Sequence, residues 1–238
     1  ADLLLHAQEL VGISVEILAD ALKAETEADR VVVEDHKVFL RDLCVAERRV
    51  AKRLQDLMAV PRPYREIDPA KAVPWAERKM GFTFAPAQAA ALAGSLRAKV
   101  SIITGGPGVG KTTIIRALVE IYRARNLSVL LAAPTGRAAK RMSESTGFPA
   151  LTLHRLLKYN PQTRAFTYNE AKPLPGDVFI FDETSMIDIR LMADLLAALP
   201  TAATLVLVGD TDQLPSVGPG NVLRDLIASG AIPSARLT

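Results

Sequence analysis

The segment GGPGVGKTT, residues 105–113, has the residues that a phosphate-binding loop needs. It fits the pattern G-x-x-x-x-G-K-[ST], with Gly105, Gly110, Lys111 and Thr112 at the defining positions. Glycines let several backbone N–H groups turn inward, and the helix that follows adds the positive end of its dipole. The lysine supplies a charge for the β- and γ-phosphates, and the threonine hydroxyl can bind Mg²⁺. The alternative is a glycine turn of purely structural importance. The pattern favours binding of ATP with Mg²⁺ through Gly105, Gly106, Pro107, Gly108, Val109, Gly110, Lys111, Thr112 and Thr113.

Two adjacent carboxylates follow an apolar run in FIFDETSM, residues 179–186. If that run is a buried parallel strand, Asp182 and Glu183 lie at its carboxyl end, where such sheets bind ligands. Asp182 then has the position of a Mg²⁺ ligand, usually through water. Glu183 has the position of a group that orients or deprotonates the attacking water. A solvated pair at a helix start is the alternative, and the phosphate loop upstream favours the catalytic interpretation.

A third polar segment, LVLVGDTDQLPSVGPG at residues 205–220, also follows an apolar run. Asp210 and Gln213 come directly after the predicted strand. An amide at this point can touch the γ-phosphate and respond to its loss. Gln213 is therefore predicted to act in catalysis together with Lys111, Asp182 and Glu183.

Basic residues follow the second apolar run, in APTGRAAKRMSESTG at residues 133–147. Thr135, Gly136 and Arg137 stand where a loop can hold a phosphodiester backbone. Arg137 begins a basic helix face that also includes Lys140 and Arg141. A solvated charged face is the alternative for these residues.

The order of apolar and helical segments predicts the elements that position these sites. The short apolar runs 99–104, 128–134, 177–182 and 204–210 have the composition of fully buried parallel strands. Helical segments alternate with them and are predicted at 111–125, 137–146, 188–199 and 221–229. This alternation predicts an α/β domain with a parallel sheet.

The region upstream of this domain has a different pattern. Residues 1–60 are predicted to be mostly helical, with two short strands around Glu34–His36 and a longer amphipathic helix at 46–59. A small winged-helix-like domain and a plain helical packing domain both fit. The proline-rich stretch from residue 61 predicts a linker over 61–80, which leaves the α/β core at 81–238.

Composition sets only broad bounds. Hydrophobic residues make up 49% of the 238 residues, charged residues 23%, and the net charge is +3, which is mild support for a polyanionic partner. The single cysteine, Cys44, excludes an internal disulfide and favours a reducing compartment, so a cytoplasmic location is expected. No run approaches the roughly 18 apolar residues of a membrane span.

Five blocks together resemble superfamily 1 DNA helicases, and within them the RecD family. They occur in the order GGPGVGKTT, APTGRAAKRM, TLHRLL, FDETSMID and LVGDTDQLPSVGPGNVLRDLIASG, and the resemblance covers about residues 80–238. Residues 1–60 also resemble, less specifically, the region before the motor in stand-alone RecD-like proteins. The resemblance implies a RecA-like ATPase core that moves 5′→3′ along single-stranded DNA and separates duplex junctions, in the setting of DNA repair and recombination.

The resemblance also implies roles for individual residues. Gln88 would recognise the adenine, although a surface glutamine on a helix is the alternative. Thr135, Gly136, Arg137, Thr152 and His154 would contact single-stranded DNA, while a core histidine is equally compatible with His154. Residues 157–174 would form a β-hairpin insertion that splits the duplex, and the turn signal NPQT followed by alternating AFTY supports a hairpin independently.

One feature departs from the family. Such motors use two RecA-like cores with ATP between them, and the sequence ends at ARLT, where the family continues into the second core. A monomeric motor completed by the second core of the same protein is expected, and this chain alone is expected to turn ATP over poorly. The alternatives are another P-loop enzyme such as a small-molecule kinase, or a nucleotide-gated DNA clamp or loader that does not unwind.

Overall fold

A computed structural model of the chain describes residues 2–213 and 215–238. Two compact units divide between Arg49 and Val50, within helix α3 (Arg41–Ala59). The predicted domain boundary lay at residue 60, and the predicted helix at 46–59 begins five residues earlier than expected. Among the described residues, no helix combines the length and the apolar character needed to cross a bilayer.

The first unit contains two helices and a hairpin before α3, in the predicted order. Its elements are α1 (Asp2–Val11), α2 (Val15–Glu27), β1 (Val31–Glu34) and β2 (Lys37–Leu40). The strands pair antiparallel, with Glu34 opposite Lys37. Asp35 and His36 between them have φ of 50° and 62°. A two-residue turn with both φ values positive matches the twist of the flanking strands, which explains this tight hairpin.

The second unit is the predicted α/β domain, built on a six-stranded sheet. Every neighbouring pair of strands in this sheet is parallel. In spatial order the strands are β10 (Ser234–Leu237), β3 (Val100–Gly105), β9 (Thr204–Gly209), β8 (Val178–Phe181), β4 (Val129–Ala133) and β5 (Ala150–Thr152). The helices are α4 (Pro69–Met80), α5 (Pro86–Arg97), α6 (Lys111–Ala124), α7 (Gly136–Thr146), α8 (Leu153–Leu156), α9 (Ile189–Ala197) and α10 (Val222–Ala228), with a 3₁₀ turn at Thr184–Met186.

The sheet is buried on both faces, as its apolar strands predict. All four residues of β8 are fully buried. Val178 and Ile180 join a core cluster with residues of α4, α5 and α6, and Phe179 and Phe181 point to the opposite face because side chains alternate along a strand. Burial of continuous apolar strands on both faces is typical of parallel sheets.

The predicted linker over 61–80 is wrong for its second half, which is helix α4. The Asp68 side chain caps this helix by accepting a hydrogen bond from the Ala70 N–H (3.0 Å), and Pro69 stands at the first helical position. A proline there costs no hydrogen bond, because the first N–H groups of a helix have no partner within it. Ala72 and Ala76 bury the inner face of α4, so the prolines begin a packed helix instead of marking a linker.

The predicted insertion at 157–174 contains a short hairpin. Strands β6 (Tyr159–Asn160) and β7 (Ala165–Phe166) pair antiparallel, and the Asn160 side chain accepts a hydrogen bond from the Gln162 N–H (2.9 Å) in the turn. A further isolated bridge joins Asn169 and Lys172. Each strand is only two residues long, so most of the insertion is irregular.

Candidate nucleotide-binding cleft

The phosphate loop connects the carboxyl end of β3 to the first residue of α6. Gly108 and Gly110 have φ of 80° and 93°, a left-handed conformation that glycine adopts at little cost. The Lys111 amine donates hydrogen bonds to the carbonyl oxygens of Gly106 (2.7 Å) and Gly105. The lysine side chain therefore folds back over the loop that precedes it.

The loop forms one side of a cleft of about 310 Å³ at the carboxyl ends of the strands. Its lining residues are Pro107, Gly108, Gly110, Lys111, Thr112, Arg141, Asp182, Glu183, Gly209, Asp210 and Gln213. The structure thus brings together all four side chains predicted to act in catalysis. Gly105, Gly106, Val109 and Thr113 belong to the same loop and helix start without lining the cleft.

The order of strands explains this gathering. Strands β3, β9 and β8 are neighbours in the sheet, although β4 and β5 come between them along the chain. Their carboxyl ends carry the phosphate loop, the Gln213 segment and the Asp182–Glu183 pair respectively. Because parallel strands end at one edge, adjacent strands bring their following loops together.

Asp182 is a largely buried carboxylate. Burial is the main cause that raises its pKa, and the neighbouring Glu183 carboxylate raises it further. A hydrogen bond from the Glu183 N–H (2.8 Å) and the positive charges of Lys111 and Arg141 act in the opposite direction. The net effect is a pKa above the usual range of aspartate.

Glu183 has an unusual backbone, with φ of 52° in a non-glycine residue. Such conformations persist where the surroundings impose them, often at functional sites. The next residue, Thr184, is fully buried and its hydroxyl donates to the Val208 carbonyl oxygen (2.9 Å), which ties this turn to β9. The Glu183 side chain accepts a hydrogen bond from the Arg141 guanidinium.

Gln213 is oriented by a buried acid. Its side-chain amide donates to Asp210 (3.0 Å), and the other Asp210 oxygen accepts the Asp212 N–H (3.0 Å). Asp210 itself is buried at the end of β9. Asp210 therefore orients the Gln213 amide, a role that the sequence pattern did not assign to it.

Thr112 and Asp182 line the same cleft and supply a hydroxyl and a carboxylate oxygen. Oxygen donors of this kind fit Mg²⁺, which takes few protein ligands and completes its shell with phosphates and water. The described residues contain no cluster of three or more His, Cys, Asp or Glu side chains that could hold a metal. The donor set thus fits a cation that a bound nucleotide would share.

Gln88 lies against the phosphate loop. Its Nε2 donates to the Val109 carbonyl oxygen (3.1 Å), and its Oε1 accepts the Ala85 N–H (3.2 Å) at the start of α5. These bonds hold the side chain beside Gly110, where an added Cβ would approach Gln88 Nε2 to 2.1 Å. Its predicted recognition of adenine stays a prediction.

The residues predicted to contact DNA lie at the ends of β4 and β5, outside the cleft lining. Thr135 caps α7 by accepting the Ala138 N–H (3.2 Å), and Thr152 caps α8 by accepting the Arg155 N–H (3.3 Å). Gly136 and Arg137, in the first turn of α7, are exposed. His154 packs against the hairpin rings of Tyr159 and Phe166, with ring centroids 5.7 and 5.6 Å away.

Arg141 is a cleft residue whose position the sequence pattern did not predict. The pattern assigned it to a basic face of α7, yet its side chain reaches Glu183. No local sequence signal gives this contact, because it depends on how helix and sheet pack.

Comparison with known proteins gives the family. Residues 88–219, more than half of the chain, match the family described as AAA domain. The chain is 39% identical over 211 residues to the ATP-dependent RecD2 DNA helicase of Deinococcus radiodurans, and the match covers 89% of this chain. It is 40% identical over 183 residues to the RecBCD enzyme subunit RecD of Mycolicibacterium smegmatis, a match that covers 67% of this chain.

A phage protein is also similar. The ATP-dependent DNA helicase dda of Enterobacteria phage T4 is 37% identical over 124 residues, which cover 50% of this chain and 28% of that protein. The chain spans 28% of the Deinococcus protein and 33% of the Mycolicibacterium protein, about a third or less of each. The predicted resemblance to RecD-type helicases is confirmed by these relatives, and the chain belongs to the AAA domain family.

Proposed function

We propose that this chain is the ATP-binding first motor core of a DNA helicase that moves 5′→3′ along single-stranded DNA and unwinds duplex junctions. The observation that carries the proposal is the cleft, in which Lys111, Asp182, Glu183 and Gln213 converge from three neighbouring strand ends. Three relatives, two DNA helicases and a RecBCD enzyme subunit, support the choice of DNA. A cytoplasmic location belongs to the same proposal.

The phosphates of ATP would bind over the loop and the start of α6. The backbone N–H groups of the loop and the helix dipole favour negative charge there. Lys111 would leave the Gly105 and Gly106 carbonyl oxygens and turn its amine to the β- and γ-phosphates. Thr112 and Asp182 would hold Mg²⁺, which when bound neutralises charge that develops on the transferred phosphate. Gln88 would contribute to adenine recognition.

Hydrolysis needs a water in line with the γ-phosphate. Glu183 would orient that water and take its proton, since its carboxylate is at the cleft surface beside Asp182. Gln213, held from behind by Asp210, would contact the γ-phosphate and respond to its release. Loss of the γ-phosphate would then alter the loops at the ends of β9 and β4 and change the grip on DNA.

DNA would bind at the neighbouring half of the same sheet edge. Thr135, Gly136 and Arg137 follow β4, which adjoins the catalytic strand β8. Thr152 ends β5, the next strand outward from β4. Exposed N–H groups at the start of α7 and the Arg137 charge suit a phosphodiester backbone. His154 and the hairpin rings it contacts would lie beside the single-stranded DNA, and the hairpin would separate the duplex.

The opposite wall of the cleft would come from a second RecA-like core of the same full-length protein. That core would supply an arginine to the transition state, a contribution worth about 10³–10⁵ in rate in related systems. The complete motor would act as a monomer, with movement generated by closure of the two cores on ATP.

Nucleotide binding by this chain tests the first part of the proposal. Lys111→Ala removes the charge that faces the phosphates, and we expect the affinity for a fluorescent ATP analogue with Mg²⁺ to fall by at least about 100-fold. Titration calorimetry provides a second measurement. Lys79→Ala, an exposed lysine at the end of α4, serves as the control and should bind normally. Unchanged affinity in Lys111→Ala would contradict the proposal.

Strand displacement on forked DNA tests the second part in the full-length protein. We expect wild-type protein to separate a fork with a 5′ single-stranded tail when ATP is present, and Lys111→Ala to fail. A protein that binds the fork with nucleotide-dependent affinity yet never separates it would instead be a clamp or loader.

A further inference from the structure

Arg141 lies in the nucleotide cleft although it belongs to helix α7, far along the chain from the phosphate loop. Its guanidinium donates a hydrogen bond to Glu183 Oε1 and forms an ion pair with that carboxylate. The Arg141 side chain is 68% exposed, whereas Glu183 is 20% exposed. A largely exposed cation from a neighbouring helix therefore pairs with the carboxylate that the proposed function assigns to the attacking water.

The backbone around Glu183 is held more firmly than its side chain. Its N–H donates to Asp182 Oδ1 (2.8 Å), and the buried Thr184 hydroxyl anchors the next residue to β9. The carboxylate is thus attached to a fixed backbone in a left-handed conformation, and Arg141 decides where the carboxylate points. One of its two oxygens already accepts a hydrogen bond from Arg141 while this pair is made.

Helix α7 connects Arg141 to the proposed DNA contact. The helix begins at Gly136 under the Thr135 cap, and Arg137 stands one turn before Arg141 on the same side. Ala138, Ala139 and Met142 bury its inner face, so the 11-residue helix behaves as one stiff body. A shift or rotation imposed at its first turn is carried to Arg141.

We propose that Arg141 is a positioning residue that holds Glu183 away from the attacking water until a polynucleotide binds at the start of α7. This inference rests on the proposed function, since it assigns the regulation of the same site. Binding of a phosphodiester backbone at Thr135–Arg137 moves α7, the ion pair opens, and Glu183 turns to the water. The ion pair thus suppresses ATP turnover by protein that has no polynucleotide bound.

We call the Arg141–Glu183 ion pair the latch, and the exposure of Arg141 limits its strength. Ion pairs with a solvent-exposed partner are weak, because water competes for the charge and the long side chain loses freedom. A weak pair is opened readily by a shift of α7, and its removal raises the resting rate by only about two- to five-fold.

Steady-state ATP turnover of the full-length protein tests the latch, with and without saturating single-stranded DNA. For Arg141→Ala we expect turnover without DNA to rise roughly two- to five-fold. Turnover with DNA should stay within about two-fold of wild type, so that the stimulation ratio falls by the same factor as the resting rate rises. The KM for ATP should be unchanged, because Arg141 acts through Glu183 and not on the phosphates.

Two further variants separate positioning from a merely structural effect. Arg141→Lys keeps a cation within reach of Glu183 and should restore most of the suppression without DNA. Arg116→Ala removes an exposed arginine of α6 outside the cleft lining and should leave both rates as in wild type. Thermal unfolding of each variant shows whether the fold is retained.

If DNA stimulates ATP turnover of the wild-type protein, either of two results would contradict the latch. One is a resting rate in Arg141→Ala equal to or below that of wild type. The other is a loss of turnover with DNA or a rise in the KM for ATP, either of which would make Arg141 a phosphate-binding residue. If wild type and variants all bind ATP but none hydrolyses it with DNA present, the proposed function itself fails.

Discussion

Asp182 is the cleft carboxylate proposed to hold Mg²⁺, and its partial burial affects its ionisation. Its pKa is raised mainly because burial disfavours the charged form, and the negative Glu183 adds to this. A carboxyl whose pKa is higher in the folded than in the unfolded chain contributes stability that is complete below the unfolded value, about 3.9, and is lost as the pH rises through the folded value. The ionised carboxylate is thus a cost to the fold at neutral pH.

Asp182→Asn should therefore stabilise the protein at neutral pH. The asparagine oxygen can still accept the Glu183 N–H, and the side chain has no charge to desolvate. We expect the free energy of unfolding to rise by about 0.5–2 kcal/mol at about pH 8, a usual gain when a functional site is relaxed. The gain should be smaller at about pH 4, close to the unfolded pKa of about 3.9, because there the raised pKa favours the protonated carboxyl in the folded chain.

Denaturant unfolding at the two pH values provides the measurement. Asp212→Asn is the control, because Asp212 is exposed and pairs with Arg236 (3.0 Å) at the surface. Its effect should stay within about 1 kcal/mol at either pH. If Asp182→Asn raises the free energy of unfolding equally at both pH values, or not at all, ionisation of Asp182 does not destabilise the folded protein.

At the scale of the elements, the two threonines predicted to contact DNA both cap helices. Thr135 satisfies an N–H at the start of α7 and Thr152 one at the start of α8. A threonine in this position has a sufficient structural reason to be there. Loss of DNA binding on its removal would therefore be ambiguous unless stability is measured as well.

Thr135→Ala should cost about 0.5–2 kcal/mol of unfolding free energy, because the Ala138 N–H loses its cap. Thr135→Ser keeps a hydroxyl at this position and should restore most of that stability. Thr163→Ala, in the exposed hairpin turn, is the control and should change stability by less than about 0.5 kcal/mol. Chemical denaturation measures all three, and an unchanged stability in Thr135→Ala would exclude the capping role.

The elements themselves followed largely from local sequence. In the α/β domain, the four predicted strands and four predicted helices agree with the observed elements to within a few residues, whereas the edge strands β5 and β10 were not predicted. Helix α4 did not follow, because prolines, here at 69 and 74, usually indicate a break in a helix. Pro69 is accommodated at the first helical position, and burial of Ala72 and Ala76 stabilises the helix, which a local pattern cannot anticipate.

At the scale of the whole molecule, the cleft has a wall that this chain supplies and a wall proposed to come from a second core. The matched segment covers 28% and 33% of these two relatives, which agrees with a motor of more parts. Nucleotide binding needs only the loop and its helix, whereas fast phosphoryl transfer needs charge from the opposite side.

Single-turnover ATP hydrolysis with single-stranded DNA compares this chain with a longer one that includes the second core. If the second core supplies the transition-state arginine as proposed, the shorter chain should hydrolyse ATP about 10³–10⁵-fold more slowly while it still binds nucleotide. Binding of the same ATP analogue to both chains serves as the control. Equal and robust turnover in both would contradict the two-core proposal.

The sequence by itself determined the phosphate loop, the acidic pair after β8, the parallel α/β class and the family resemblance. Each of these depends on spacing within a short stretch, where backbone chemistry and hydrophobic periodicity act locally. Only the tertiary structure decided that β9 lies between β3 and β8, since strand order depends on packing between distant segments. It also decided that Asp210 holds Gln213 and that Arg141 reaches Glu183, because side-chain partners across a cleft follow from how helix and sheet pack.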